Sequence, residues 1–210
     1  MLLFISGFGA VNRLPEQFTI VERFLSLTST FDISTETETF AIARKRFFSL
    51  TTTFDLEDMN ELPIANASSR YFAWGTVADI TDPKGLPIGS IQEEVIRILP
   101  WALYKVYNSQ NEYIALAKMN FWGTAFEIYH PDNPDEVYAT ISRPFFRFYF
   151  DYWTVHIKNR EIFENGIIDP RILIILAIYQ TDKDSRDRFR KGLIDQFRTE
   201  QDFYDERRFE

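Results

Sequence analysis

From residue 18 to residue 157 apolar and polar positions alternate in short runs broken by turn signals, which predicts strands with one buried and one wet face. Leu25, Leu27, Phe31 and Ile33 fall on one face of an extended chain, and Ser26, Thr28, Thr30 and Asp32 on the other. Phe48, Leu50, Phe54 and Leu56 stand against Ser49, Thr51, Thr53 and Asp55 in the same way. The two stretches, RFLSLTSTFD from Arg23 and RFFSLTTTFD from Arg46, agree at eight of ten positions with an offset of 23 residues. Each follows another extended run, FTIVE or FAIAR, so the repeating unit reads as a pair of strands and their turn. Two copies are too few for a solenoid, and hairpins stacked in one sheet or barrel are the simpler reading. Further strands are expected in SSRYFAWGTVADIT, IGSIQEEVI, WALYKVY, EYIALAKM, TAFEIYH and EVYATIS, with DPKG, NSQNE and PDNPDE as turns. In FFRFYFDYWTVHI the apolar register changes from Phe146, Phe148 and Phe150 to Trp153, Val155 and Ile157, which predicts a bulge near Asp151.

The pattern changes once, at IIDPRILIILAIYQTDKD. Asp169 can cap a helix and Pro170 is pre-shaped for its first position. Ile172 to Tyr179 carry no polar stripe, so a helix over about residues 169–180 must be buried on every side. It spans only about half a bilayer core. The chain therefore divides into a strand-rich unit with its buried helix, residues 1–183, and a charged C-terminal helical tail, residues 184–210. In that tail Phe189, Leu193 and Phe197 form one narrow apolar stripe.

Composition adds three limits. Aromatic content is 17%, with 21 Phe, which suits half-buried pleated surfaces, and only 8 Gly leave the turns to Asn, Asp and Pro. The absence of cysteine excludes disulfides and thiolate metal sites. A net charge of −8 provides no overall basic footprint for nucleic acid or an anionic membrane, which leaves only a local patch for either. The opening MLLFISGFGAV lacks a basic n-region and reads as a first strand or ordered arm rather than a signal peptide. No stretch reaches the length of a membrane span, and a soluble, cytoplasmic protein, peripheral to membranes at most, is expected.

Several motifs in order resemble the LURP-one-related and tubby C-terminal-like superfamily, which includes the phospholipid scramblases. Arg23-Phe24-Leu25-Ser26-Leu27 and Arg46-Phe47-Phe48-Ser49-Leu50 fit its opening strand units. Asp82-Pro83-Lys84-Gly85 with Ile88-Gly89-Ser90-Ile91 fit its turn and following strand, and Ala139-Thr140-Ile141-Ser142 a later one. Ile172 to Tyr179 fit its closing helix. The resemblance covers roughly residues 18 to 183 and implies a mainly β (α+β) fold: a closed antiparallel barrel of about twelve strands around the apolar helix. The charged tail departs from the pattern and inherits no role.

Motifs of catalysis are missing: there is no phosphate loop, no G-x-S-x-G elbow and no H-E-x-x-H. His130 and His156 are far apart in sequence and read as ordinary polar residues. A calcium loop starting at Asp79 fails, since Pro83 and Lys84 occupy positions five and six, and Asp132, Asn133, Asp135 and Glu136 read first as a hairpin turn. No metal, cofactor or catalytic residue is therefore expected. The densest basic cluster of the barrel is Arg44-Lys45-Arg46. On a strand Arg44 and Arg46 point one way and Lys45 the other, and the pair resembles the basic residues, two apart, with which tubby proteins hold phosphoinositides. The plainer alternative is a solvated strand end beside Glu38 and Glu57. The aromatic runs YFAW, FW and PFFRFYFDYW read as barrel filling. The function expected is a non-enzymatic binding module for an anionic, phosphoinositide-type headgroup at Arg44, Lys45 and Arg46. The alternative is a protein-interaction scaffold that recruits its partner through residues 184–210, without lipid binding.

Overall fold

The computed structural model describes residues 14–23, 28–70, 77–94, 102–144 and 152–186. Its strands are β1 (Gln17–Glu22), β2 (Thr30–Ser34), β3 (Thr39–Lys45), β4 (Thr53–Asp58), β5 (Pro63–Ser69) and β6 (Val77–Thr81). They continue as β7 (Pro87–Glu94), β8 (Leu103–Asn108), β9 (Tyr113–Met119), β10 (Ala125–His130), β11 (Asn133–Ser142) and β12 (Tyr152–Ile157). A short helix, α1 (Arg160–Glu164), comes next, and then α2 over residues 170–186. Every neighbouring pair is antiparallel in sequence order, and β1 pairs with β12, with Ile20 opposite Trp153. The expected twelve-stranded closed barrel with a central helix is what the chain forms.

Closure leaves no sheet edge. It also leaves a wide interior, which the strands fill unequally. The inward residues of β3, β5 and β9 are alanine pairs, Ala41 and Ala43, Ala65 and Ala67, Ala115 and Ala117, all buried. Their neighbours β2, β4, β8 and β10 present Phe31, Phe54, Tyr104 and Phe126 instead, and β12 adds Trp153. Alternating small and large side chains shape the space into which α2 fits, and Ile172 to Tyr179 are buried without exception. Asp169 prepares the helix start, accepting from the Arg171 backbone N–H at 3.0 Å. Outward positions of the described strands carry Asp32, Arg44, Asp55, Asn66, Asp79, Lys105, Lys118 and Glu127, none of them buried. That is the reverse of the apolar outer band of a lipid-spanning barrel. No helix among the described residues is long and apolar enough to cross a membrane.

The two ends of the barrel differ. Connections from even to odd strands are tight turns, and Asp58, Asp82 and Asn108 recur there. Each Oδ1 accepts backbone N–H groups two and four residues on, at 2.8 to 3.0 Å. Three residues after each, Glu61, Gly85 and Asn111 adopt positive φ. A left-handed residue is thus supplied by Glu and Asn as well as Gly, which is how so few glycines suffice. We call this end the turn rim and the opposite end, where odd strands lead to even ones, the loop rim.

Four expectations need correction. RFFSLTTTFD is not one strand: β3 ends at Lys45 and β4 begins at Thr53, so its first half is the connection across the loop rim. Phe48 and Leu50, expected inward, are 97% and 91% exposed; a period of two has no meaning once the chain leaves the ladder. Phe121 and Trp122, expected to fill the barrel, are 68% and 69% exposed in the β9–β10 loop. SSRYFAWGTVADIT is not one strand but holds the end of β5 and all of β6, and PDNPDE enters β11, where register shifts between Ile128 and His130 absorb it. The MLLFISGFGAV arm, the YFAW run, the bulge near Asp151 and the tail beyond residue 186 lie outside the described residues. α2 itself runs unbroken through residue 184.

Gly89 on β7 leaves no room for a side chain between wall and helix. A Cβ there would stand 2.7 Å from Ile172 Cδ1 and closer still to the Tyr107 carbonyl oxygen. Gly89→Ala should destabilise the barrel by about 1–3 kcal/mol through overpacking. Urea unfolding with an unchanged m-value would report it, and a wild-type midpoint would show that the helix is not held this close.

Candidate functional site: the loop rim

The doubled motif builds one repeated device on this rim. Arg23 Nε donates to Asp32 at 2.9 Å and its Nη2 at 2.6 Å. Arg46 grips Asp55 with two bonds of 2.7 Å. Arg70 grips Asp79 at 2.8 and 2.7 Å. In each case the arginine is nine residues before the aspartate and its own N–H closes the loop, onto the carbonyls of Thr30, Thr53 and Val77. The third clasp escapes the sequence comparison because RYFAWGTVAD shares few of the intervening residues; an Arg and an Asp nine apart is the signal that finds it. The hydrogen bonds to aspartate raise the pKa of all three arginines, and the Arg46 bond, against the opposing effect of burial, lowers that of Asp55. The clasps fall on three consecutive hairpins, so Arg23, Arg46 and Arg70 form an arc in which every positive charge faces a carboxylate.

A second ring lies inside the first. The inward residue at the last turn of each odd strand is Glu22, Lys45, Ser69, Glu93, Met119 and Arg143 in order round the barrel. Five of these six meet α2. Glu22 accepts from Ser185 Oγ, Lys45 Nζ donates to Asp182 Oδ1 at 2.7 Å, and Ser69 Oγ lies 3.1 Å from the Tyr179 hydroxyl. Glu93 pairs with Lys183 and Arg143 with Asp184. Gln180 Nε2 donates to Asp184 Oδ1 at 2.9 Å, and the Arg143 guanidinium lies 4.6 Å from the Trp153 ring centroid. The helix thus meets water through a polar collar that fixes its depth and rotation.

The three basic residues singled out from sequence separate accordingly. Arg44 lies on the outer face, paired with Glu57 and 3.7 Å from Glu61. Lys45 points inward and belongs to the collar; its partner Asp182 is 1% exposed, with Arg186 Nε 3.0 Å from the other carboxylate oxygen but not aligned to bond it. Arg46 belongs to the second clasp. Arg44 and Arg46 share the outer side of the rim, as their spacing predicts, and Lys45 faces the opposite way. What the sequence reading missed is the apolar tip between the clasps. Phe47 and Phe48 stack edge to face at 4.8 Å and are exposed together with Leu50; Phe121 and Trp122 form a similar pair at 5.3 Å. The remaining connections of this rim lie wholly or partly outside the described residues, but their sequences, FLSL, YFAWGT, VIRILPW and FFRFYFD, are equally apolar.

The turn rim offers a contrasting cavity of about 360 Å³ between Asp82, Asn108, Ile167 and Arg171. Its polar groups serve the fold: Asp82 and Asn108 hold their own turns, and Arg171 Nη2 donates to Asp169 at 2.6 Å. The two histidines stay apart in role. His130 Nδ1 accepts from the Asp132 N–H at 3.1 Å, and His156 sits in β12 opposite Gln17 and Thr140.

Residues 16–179 match the family model described as LURP-one-related. The chain belongs to the LURP-one-related family. The matched range takes in all twelve strands and the apolar run of α2, Ile172 to Tyr179, and stops where the collar begins to reach the helix end. No curated protein matches the chain. An X-ray structure of a protein from Arabidopsis thaliana is similar at 12% identity, covering 84% of this chain and 99% of that one, with a TM-score of 0.35. The fold assignment therefore rests on the strand pairing itself.

Two measurements test the collar. Lys45→Ala leaves the buried Asp182 carboxylate with only the Arg186 charge beside it and should cost about 3 kcal/mol, whereas Arg46→Ala at the exposed clasp should cost no more than about 1 kcal/mol; comparable losses in urea unfolding would contradict the distinction. Burial first, with the neighbouring Asp182 charge adding to it, pushes the Tyr179 phenol up to about 12. A raised phenol contributes stability that is whole below its ordinary value near 10 and is lost as pH rises towards 12. Tyr179→Phe should therefore lose about 1 kcal/mol at neutral pH and show a shallower decline between pH 10 and 12. An alkaline limb identical to wild type would exclude Tyr179 as its source.

Proposed function

We propose that this LURP-one-related barrel is a non-enzymatic binding module whose loop rim contacts an anionic membrane surface, with a phosphoinositide-type headgroup as the preferred polar contact. The observation that carries the reading is the tip between Arg46 and Thr53, where Phe47, Phe48 and Leu50 stand in solvent beside guanidinium groups. Moving such a side chain out of water is worth about 1.5–3 kcal/mol, and a second aromatic pair, Phe121 and Trp122, flanks the same end. Arg46 spends two donors on Asp55, and a guanidinium has five, so donors remain for phosphate oxygens. The clasps are close to neutral, so attraction would come from short-range bonding and apolar insertion, not from a long-range field. A filled interior supports the non-enzymatic reading: α2 occupies the space where a barrel would otherwise hold a reaction cavity. The module would sit peripherally at a cytoplasmic membrane face.

Vesicle flotation tests this. Wild type should float with vesicles of neutral lipid plus phosphoinositide. Phe48→Ser with Leu50→Ser should reduce the floated fraction about tenfold or more, the loss expected for about two exposed apolar side chains. Arg44→Ala with Arg46→Ala should remove the dependence on phosphoinositide while leaving a residual apolar component. Equal flotation of wild type and the Phe48/Leu50 variant, or no flotation of wild type, would sink the reading and favour a protein partner.

A further inference from the structure

We propose that Ser49 is a phosphorylation site, the target of a serine/threonine kinase that reads an arginine three residues before its acceptor, and that the phosphate switches the loop rim off as a membrane contact. Ser26 and Ser49 each stand three residues after an arginine and directly before a leucine; no other serine or threonine of the chain has an arginine or lysine at that distance. The doubled R-F-x-S-L motif therefore carries this signal twice, and the rest of the chain does not carry it. Such a motif suits an enzyme whose substrate groove offers carboxylates to the arginine and an apolar pocket to the leucine.

The fold presents the second copy. Phe48 and Leu50, on either side of Ser49, stand in solvent, and Ser49 itself is partly exposed. Its Oγ lies 2.9 Å from Thr53 Oγ1, a neutral contact that water can replace. The loop is fastened at its ends, by the Arg46 N–H on the Thr53 carbonyl and the Ser69 N–H on the Thr52 carbonyl, both at 2.9 Å. Residues 47–51, between those points, can be drawn into the extended form that a kinase groove takes without opening the barrel. Arg46 is more than half exposed in its clasp with Asp55, and an exposed ion pair gives way to another carboxylate at little cost. Arg44 lies on the same outer side, whereas Lys45, turned inward to Asp182, takes no part. Thr53, the next hydroxyl bonded to Ser49, is buried in β4 and offers no such access.

In the transfer Ser49 Oγ attacks the γ-phosphorus of ATP. The Oγ–P bond forms, the bond from that phosphorus to the β,γ-bridging oxygen breaks, ADP leaves, and the hydroxyl proton passes to the general base of the kinase. The product carries a charge of about −1.5 to −2 between Phe48 and Leu50. That charge opposes burial of both apolar side chains against an anionic surface, and its oxygens compete for the Arg46 donors that a lipid phosphate would use. The switch rests on the membrane reading above; the site does not.

The full chain is incubated with ATP, magnesium and a purified kinase of this arginine-directed class, and the acceptors are read by peptide mass spectrometry. Ser49 should take up phosphate, and Arg46→Ala should slow that uptake about tenfold or more, the loss of one charge-assisted contact. Gly89→Ala, which weakens the barrel without touching the loop, should leave the rate unchanged. No phosphate on Ser49, or an Arg46→Ala rate equal to wild type, would overturn the site. A rate that rises with Gly89→Ala would overturn it too, by assigning the reaction to unfolded chains. Vesicle flotation is then compared before and after treatment in a Ser26→Ala background, which leaves one acceptor of this type. Phosphate on Ser49 should lower the floated fraction about tenfold or more, and adding Ser49→Ala should make flotation the same before and after. Equal flotation of the two Ser49 forms would overturn the switch. Unmodified protein that fails to float would remove the membrane reading and the switch together, while the site stands on the mass spectrum.

Discussion

A closed sheet of twelve antiparallel strands encloses more space than its own side chains can fill, and the rest of the structure depends on how that space is occupied. The filler is a helix apolar on every side, and the wall is cut to receive it: alanine pairs on β3, β5 and β9, a glycine on β7 against Ile172, and large aromatics on other strands. Such a helix cannot exist alone in water, and such a barrel cannot stay closed around a void. Each is the condition for the other.

Because the helix must enter at one end and leave at the other, the two ends acquire different work. At the turn rim the chain turns tightly, with Asp58, Asp82 and Asn108 satisfying their own backbones. At the loop rim the helix comes back to water, and the last inward residue of almost every odd strand is polar and bonded to it. Outside that collar, three arginine–aspartate clasps brace consecutive loops. In the loop braced by Arg46 and Asp55, the apolar tip of Phe47, Phe48 and Leu50 is exposed and able to meet something else. The basic residues of this end are largely absorbed in bracing, which leaves the apolar tips as its most distinctive surface.

Much of the fold was legible in the sequence. Period-two alternation marks the inward residues Phe31, Ile33, Phe54 and Leu56 because a wet outer face and a dry inner face select opposite side chains. The all-apolar run from Ile172 announces a helix with no exposed side. The 23-residue offset is correctly a strand pair with its turn. The same alternation misplaced Phe48 and Leu50, since residues that continue the pattern beyond the last ladder bond are not held to either face. The third clasp was hidden by divergence of the residues between Arg70 and Asp79. Lys45 was grouped with Arg44 and Arg46 because sequence distance says nothing about Asp182, 137 residues away.

The sequence by itself therefore determined the local alternatives: which residues can lie in a strand, which segment must be buried as a helix, and, with no cysteine in the chain, that no disulfide supports the structure. Those choices depend on hydrophobic period and turn chemistry, which act over a few residues. The tertiary structure decided how the three adjacent cations at residues 44–46 divide between an outer face, a collar and a clasp. It also decided that Phe48 and Leu50 of the second copy end in solvent at the mouth from which the helix emerges. Both depend on which distant strand or helix end closure brings alongside, and closure is a property of the whole barrel.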